Sequence, residues 1–203
     1  MTSTSLPASG ARDPRRLLDR TLDAWGGEGD AWIFGYASLI WKPEFDSVED
    51  RPATVYGWHR ALTMRSRVNR GTPECPGLVF ALVGGGSCRG RAYRIEQSRV
   101  EAELERLWNR EMLGAAYDPK WLACRTPQGA VRGLAFTLSR RSPSHTGAIA
   151  DPELIEILRT ANGRYGSTLA YLVETERSLR TCGIRDRDVE RLVALARRHS
   201  LTA

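Results

Sequence analysis

The chain has 203 residues, enough for one domain with a sizeable core. Its 30 Lys and Arg against 24 Asp and Glu leave a mild +6 charge. The arginines are scattered, not gathered beside aromatics as a nucleic-acid platform needs, so no nucleic-acid partner is expected. Cys75, Cys88, Cys124 and Cys182 form no C-x-x-C pair, and with His59, His145 and His199 they offer no zinc-ligand spacing. No metal is expected, and the cysteines read as reduced, mostly buried thiols of a cytoplasmic protein.

Residues 1–12 hold no apolar stretch, so they read as a disordered lead-in and neither as a signal peptide nor as a membrane span. A single domain is expected over residues 13–203. Asp13 is a helix N-cap with Pro14 at the first helical position; Leu17, Leu18, Leu22 and Trp25 form the buried face, and Gly26-Gly27 ends it. Residues 31–34 form a short apolar strand running into Gly35-Tyr36-Ala37-Ser38. Small residues there let a ligand approach the backbone, and successive N–H groups can form an anion-binding nest; a plain tight turn is the alternative. Ser38 lacks the Gly-x-Ser-x-Gly elbow and a matched His of a nucleophile.

Residues 52–63 read as a strand in which Gly57 marks a bulge or a close backbone approach. Residues 65–77 form a loop too long for a plain turn, and such loops are often functional. Residues 78–83 and 89–95 read as two strands joined as a hairpin at Gly84-Gly85-Gly86-Ser87. Those glycines lack the Lys-Ser/Thr of a phosphate loop.

The next helix opens at Ser98, where Ser98 and Glu101 match a capping box. Val100, Leu104, Leu107 and Trp108 form its apolar stripe, with Glu101, Glu103 and Glu105 off the centre. Glu111 continues that stripe. A buried carboxylate costs several kcal/mol unless it is paired or its pKa rises, and a raised pKa suits a general base near neutral pH. The alternatives are that Glu111 lies past the last buried turn, or pairs with Arg110 or Arg65. A second hairpin follows, residues 121–125 and 131–138 around Pro127-Gln128-Gly129. Three helices complete the chain: one from Asp151-Pro152 to Gly163, one from about Ser167 to Cys182 before Gly183, and one starting at Asp186. Strands mostly first and helices mostly last make an α+β fold.

Phe34-Gly-Tyr-Ala-Ser-Leu-Ile-Trp-Lys-Pro43 closely resembles the Phe-Gly-Tyr-Gly-Ser-Leu-Ile-Trp-Lys-Pro signature of the ChaC family of γ-glutamylcyclotransferases. Arg70-Gly-Thr-Pro-Glu74 with Pro76-Gly77 is similar to that family's Arg-Gly-Thr-Pro-x-x-Pro-Gly loop. Gly86–Gly90, Ala92–Arg94, Arg110-Glu111, Ala170–Leu172 and Gly183-Ile184 fall in the family order, so the likeness runs from about Trp32 to Ala196. It implies a small mixed α+β domain with a closed or nearly closed β-barrel and surrounding helices. It also implies cofactor-free cleavage of glutathione to 5-oxoproline and cysteinylglycine, with no membrane partner. By resemblance Glu111 is the proton acceptor and Ile33, Phe34, Gly35, Tyr36, Ala37 and Ser38 hold the γ-glutamyl group. Tyr171 either bonds substrate or fills the core, and Arg70 either pairs with the glycine carboxylate or shapes its loop. Ala37 replaces the family's glycine, which would strain the loop if φ there is positive. Two other readings stay open: a cyclotransferase for other γ-glutamyl amino acids or amines, and a non-catalytic γ-glutamyl-binding protein.

Overall fold

The computed structural model describes residues 12–112 and 115–202, so the expected lead-in lies, but for Arg12, outside the described residues. Helix α1 (Pro14–Trp25) starts where Asp13 accepts from the Arg15 N–H and ends at Gly26, whose φ of 92° is left-handed and suits glycine. Its buried face is Leu18 and Thr21, with Leu17, Leu22 and Trp25 packed at the edge of the core. Two indoles fasten it to the domain: Trp108 Nε1 donates to the Pro14 carbonyl (2.7 Å) and Trp121 Nε1 to that of Thr21 (3.2 Å).

Strand β1 (Ala31–Gly35) leads through residues 36–37 into the one-turn helix α2 (Ser38–Trp41). Strands β2 (Glu49–Ser66) and β3 (Gly77–Ile95) form one long antiparallel pair joined by the loop at residues 67–76. With β4 (Asp118–Thr126) and β5 (Gly129–Thr137) they close a barrel in the order β1-β3-β2-β4-β5, sealed where β1 and β3 each pair with β5 in parallel. The expected mixed barrel is therefore present.

The hairpin expected at Gly84–Ser87 is not: these residues lie inside β3, continuous with both flanking segments. Their partners are in β2, where Tyr56 faces Ser87 and Trp58 faces Gly84 across a register shift at Gly57. Gly57 has φ 79° and Gly85 and Gly86 have φ 109° and 71°, so a bulge in one strand meets flexible glycines in the other. Such a bend lets two strands this long curl around a barrel.

A 3-10 turn (Gln97–Arg99) precedes α3 (Val100–Glu111). The capping box expected at Ser98 does not form, because the helix begins at Val100 with no side-chain cap. After the β4–β5 hairpin come α4 (Asp151–Thr160), the two-residue strands β6 (Asn162–Gly163) and β7 (Gly166–Ser167), α5 (Thr168–Thr181) and α6 (Arg187–Arg198). Helices α5 and α6 start where expected, with Ser167 and Asp186 as their N-caps, whereas α4 stops at Thr160, before Gly163.

Successive side chains of β1 point to opposite faces. Ile33 joins the core under α1 and α3, while Phe34 joins the core shared with α4, α5 and α6. Both are wholly buried. Cys88 and Cys124 are buried and Cys75 and Cys182 only partly so, all with free thiols.

Candidate active site

The C-terminal end of α3, the start of α2, the 67–76 loop and α5 surround a cleft of about 510 Å³, and Ser38, Arg70, Arg110, Glu111, Tyr117 and Tyr171 are among its lining residues. A narrower space of about 20 Å³ shares Ser38, Glu111, Tyr117 and Tyr171 with it and adds Tyr36 and Ala37. Glu111 thus stands where the cleft meets the barrel.

Glu111 closes α3, and its side chain is 15% exposed. Its stripe position carries it inward next to Met112, which is wholly buried. Burial pushes its pKa above the ordinary carboxylate value; Arg110 works against that rise and Glu44 adds to it. Arg110 Nε lies 3.0 Å from Glu111 Oε1, so the expected pairing is with Arg110 and not Arg65, whose carboxylate partner is Glu153. A carboxylate whose proton affinity is raised but whose ionised form keeps one cationic partner can take and return a proton near neutral pH.

Three tyrosines enclose it. Burial raises the pKa values of Tyr36, Tyr117 and Tyr171, with the charge of Glu111 adding to each, so all three stay protonated and can donate. The Tyr36 hydroxyl donates to the Phe136 carbonyl at 2.8 Å, and the Tyr171 hydroxyl accepts from the Phe80 N–H at 3.2 Å. Tyr171 is both a core residue and a wall of the cleft, so its two readings describe one position.

The residues expected to hold the γ-glutamyl group separate by position. Ile33 and Phe34 are core side chains that do not line the cleft, and their backbones pair within the barrel. A Cβ on Gly35 would lie 2.9 Å from the Tyr93 ring and 3.2 Å from Leu39 Cβ, so glycine here serves close packing. Tyr36, Ala37 and Ser38 do reach the narrow space. Ala37 has φ −143°, outside the left-handed region, so the strain considered for alanine does not arise. Ser38 and Leu39 open α2, where the first amides have no acceptor within the helix.

Arg70 is held from three sides and still faces the cleft. Its N–H donates to Ser66 Oγ (2.9 Å), its Nη1 to the Tyr165 carbonyl (2.5 Å), and its guanidinium lies 5.0 Å from the centre of the Tyr171 ring. Burial lowers its pKa, as an anion bound beside it would oppose. Gly71, Gly77 and Gly163 make this loop possible. A Cβ at Gly77 would come within 2.0 Å of the Arg70 carbonyl oxygen, and one at Gly163 within 2.4 Å of the Gly71 nitrogen.

Tyr117, Asn69, Lys42 and Glu44 also line the cleft, though nothing in the sequence alone marks them as site residues. Lys42 sits within the motif that carries the resemblance; Tyr117 belongs to no periodic segment and gave no signal. Lys42, Arg70, Arg106 and Arg110 outnumber Glu44 and Glu111 along the cleft, which favours an anionic ligand.

The profile of the ChaC-like protein family matches residues 31–199. The Escherichia coli K12 protein named glutathione-specific gamma-glutamylcyclotransferase is 35% identical over 170 residues, 83% of this chain and 74% of that protein. The mouse glutathione-specific gamma-glutamylcyclotransferase 1 is 30% identical over 173 residues, 81% and 77% of the two chains. A crystal structure of the yeast gamma-glutamyl cyclotransferase specific to glutathione superposes with a TM-score of 0.76 at 19% identity, covering 84% of this chain and 97% of that one, a likeness of fold. With that match and those relatives, this chain belongs to the ChaC-like family.

Proposed function

We propose that this protein is a glutathione-specific γ-glutamylcyclotransferase, releasing 5-oxoproline and cysteinylglycine. The observation that carries the reading is a buried, proton-hungry carboxylate, Glu111, in a cationic cleft of a chain 35% identical to a relative with that name. Glutathione carries two carboxylates and one ammonium, which suits an excess of cationic side chains.

Cyclisation needs no water and no cofactor. Ionised Glu111 takes a proton from the α-ammonium, and the free amine attacks the γ-carbonyl carbon of the same residue, closing a five-membered ring. The bond from that carbon to the cysteinyl nitrogen then breaks, and its electron pair stays with the nitrogen. The leaving amine collects two protons in all, both from the original ammonium, with Glu111 as the carrier. Because the attack is intramolecular, holding the γ-glutamyl chain folded supplies much of the acceleration. N–H groups of Ala37, Ser38 and Leu39 supply donors for the carbonyl oxygen as it gains charge. Arg70, stacked on Tyr171, is the group for the glycine carboxylate. Four free cysteines fit a reducing compartment, and we infer a cytoplasmic enzyme acting on the thiol pool there; among the described residues no helix is long and apolar enough to cross a membrane.

The reading is tested by kcat/KM on glutathione, γ-glutamyl-alanine and ε-(γ-glutamyl)-lysine side by side. Glutathione should be preferred by about 10²-fold or more, the loss expected when buried polar groups of a pocket go unpaired. Equal values, or preference for the amine-linked compound, would move the protein to the broader cyclotransferase activity, and no turnover of any would make it a binding protein.

A further inference from the structure

Arg60 does not line the cleft, yet its side chain is fixed against the loop that does. It projects from β2, is 1% exposed, and uses three nitrogens on three acceptors. Nε donates to the Tyr36 carbonyl, Nη1 to the Asp186 carboxylate, and Nη2 to the Arg89 carbonyl at 2.6 Å. The other oxygen of Asp186 accepts from the N–H groups of Asp188 (3.1 Å) and Val189 (3.2 Å), so the charge partner of Arg60 is also the cap of α6. A chain of contacts therefore runs from α6 through Asp186 and Arg60 to Tyr36. The far end of Tyr36 is tied as well, by its hydroxyl on the Phe136 carbonyl.

A trans peptide is planar, and its C=O and N–H point in opposite directions. Holding the Tyr36 carbonyl toward Arg60 turns the Ala37 N–H the other way. Ala37 borders the narrow space that Glu111, Tyr117 and Tyr171 also border. Among the described residues no acceptor takes the Ala37 N–H. A buried guanidinium on the carbonyl side also polarises that peptide and makes its N–H a stronger donor. A lysine could carry the charge but could not reach three acceptors in a fixed plane.

We propose that Arg60 is a positioning residue for the cyclisation: by holding the Tyr36 carbonyl it aims the Ala37 N–H into the space beside Glu111, where that N–H donates to the γ-glutamyl carbonyl oxygen as it becomes negative. The role rests on the cyclotransferase reading. It differs from simple stabilisation of the fold, because it acts on the charge that appears only during reaction and so on kcat more than on KM.

The test is kcat and KM on glutathione for the parent, Arg60→Lys and Asp186→Asn, beside spectra of 15N-alanine-labelled protein with and without 5-oxoproline. Asp186→Asn covers the case in which Arg60→Lys does not fold, since asparagine still caps α6 but no longer offers a carboxylate to the guanidinium. Arg60→Lys should lose about 10²-fold in kcat at a KM within about threefold, the size of one lost oxyanion donor, and Asp186→Asn about tenfold in the same sense. The Ala37 amide, assigned from its loss in Ala37→Gly, should shift with 5-oxoproline in the parent and not in Arg60→Lys. Parental kcat in folded Arg60→Lys, in Asp186→Asn if the lysine variant does not fold, or a loss confined to KM overturns the proposal. A parent whose Ala37 amide responds to 5-oxoproline but which leaves glutathione intact contradicts the activity instead, and the amide response to Arg60→Lys still decides the positioning role.

Discussion

Arg110 Nε lies 3.0 Å from Glu111 Oε1 although neighbours along a helix do not face each other. The contact is possible because Arg110 is the last residue but one of α3 and folds back across the helix end. There it also donates to the carbonyls of Lys42 and Pro43 and sits 3.2 Å from Glu44. One guanidinium thus joins the carboxylate of the cleft to the segment that follows α2. Its positive charge opposes the burial that drives the Glu111 pKa upward.

Removing that charge should move the pH dependence. Glu111 works in its ionised form, so the rate rises with pH as it loses its proton. In Arg110→Gln nothing offsets burial and the Glu44 charge, and the acidic limb of kcat/KM moves to higher pH. The loss relative to parent should therefore be largest on the acidic side and should shrink as pH rises and both enzymes become ionised. A limb that stays in place, or moves to lower pH, separates Arg110 from the titrating group.

Glu111→Gln should lower kcat by about 10²–10⁴-fold, the range for a lost acid–base group, with KM little changed. It should also raise Tm at neutral pH. The folded-state pKa lies above the ordinary 4.5, so the folded protein holds this proton more tightly than the unfolded chain. The stability this contributes is present below 4.5 and is lost as pH rises through the folded value. The glutamine isostere carries no such loss, and Arg110 keeps Glu44. Each 1 kcal/mol recovered raises Tm by about 2–4 °C in a chain of this size. Melting curves for both proteins across pH check the sign: the gap should narrow toward acid.

These two predictions start from a residue that was legible in the sequence, and the reason is local. Glu111 is legible from the period of one helix, just as Asp13 is legible as a cap, and Ser167 and Asp186 as helix starts, from the local pattern. Gly57 was readable as a bulge for the same reason. Gly84–Ser87 reads as a turn because its glycines have turn chemistry, while its conformation is set by β2 residues some thirty positions earlier. Glu103 misled in the opposite sense: off the centre of the stripe, it is only 2% exposed, since Arg99 and Arg106 approach its two oxygens. Tyr117 and Arg60 enter the account only through contacts with distant segments, which no spacing within one element displays.

Ala37→Gly should leave kcat/KM within about threefold of the parent, because φ at this position is negative and glycine relieves nothing. Its cost falls on stability, about 0.5–1 kcal/mol from the greater freedom of the unfolded chain. Kinetics and melting temperature measured together check both parts. A gain of tenfold or more would mean that the methyl group itself obstructs the site.

Arg70→Met should raise KM for glutathione by about 10–100-fold, as expected for one lost charge-assisted contact of roughly 1.5–3 kcal/mol, and change kcat less. The loop should survive, since the backbone bonds of Arg70 to Ser66 and Thr168 remain. Gly77→Ala is the contrasting case. Its Cβ would meet the Arg70 carbonyl oxygen at 2.0 Å and Thr168 Oγ1 at 2.4 Å, so it should lower Tm, lower kcat and raise KM together. If Arg70→Met leaves KM unchanged, the arginine shapes its loop and does not read the substrate.

The central claim is that the γ-glutamyl bond is broken by its own α-amine and not by water. The direct measurement is mass spectrometry of the products formed from glutathione in ¹⁸O-labelled water, with Glu111→Gln run in parallel. The account predicts cysteinylglycine and 5-oxoproline carrying no ¹⁸O from the parent, and both products formed at least about 10²-fold more slowly by the variant. Free glutamate bearing one ¹⁸O would show hydrolysis, and 5-oxoproline released equally by Glu111→Gln would show that the carboxylate is not the base; either result contradicts the account.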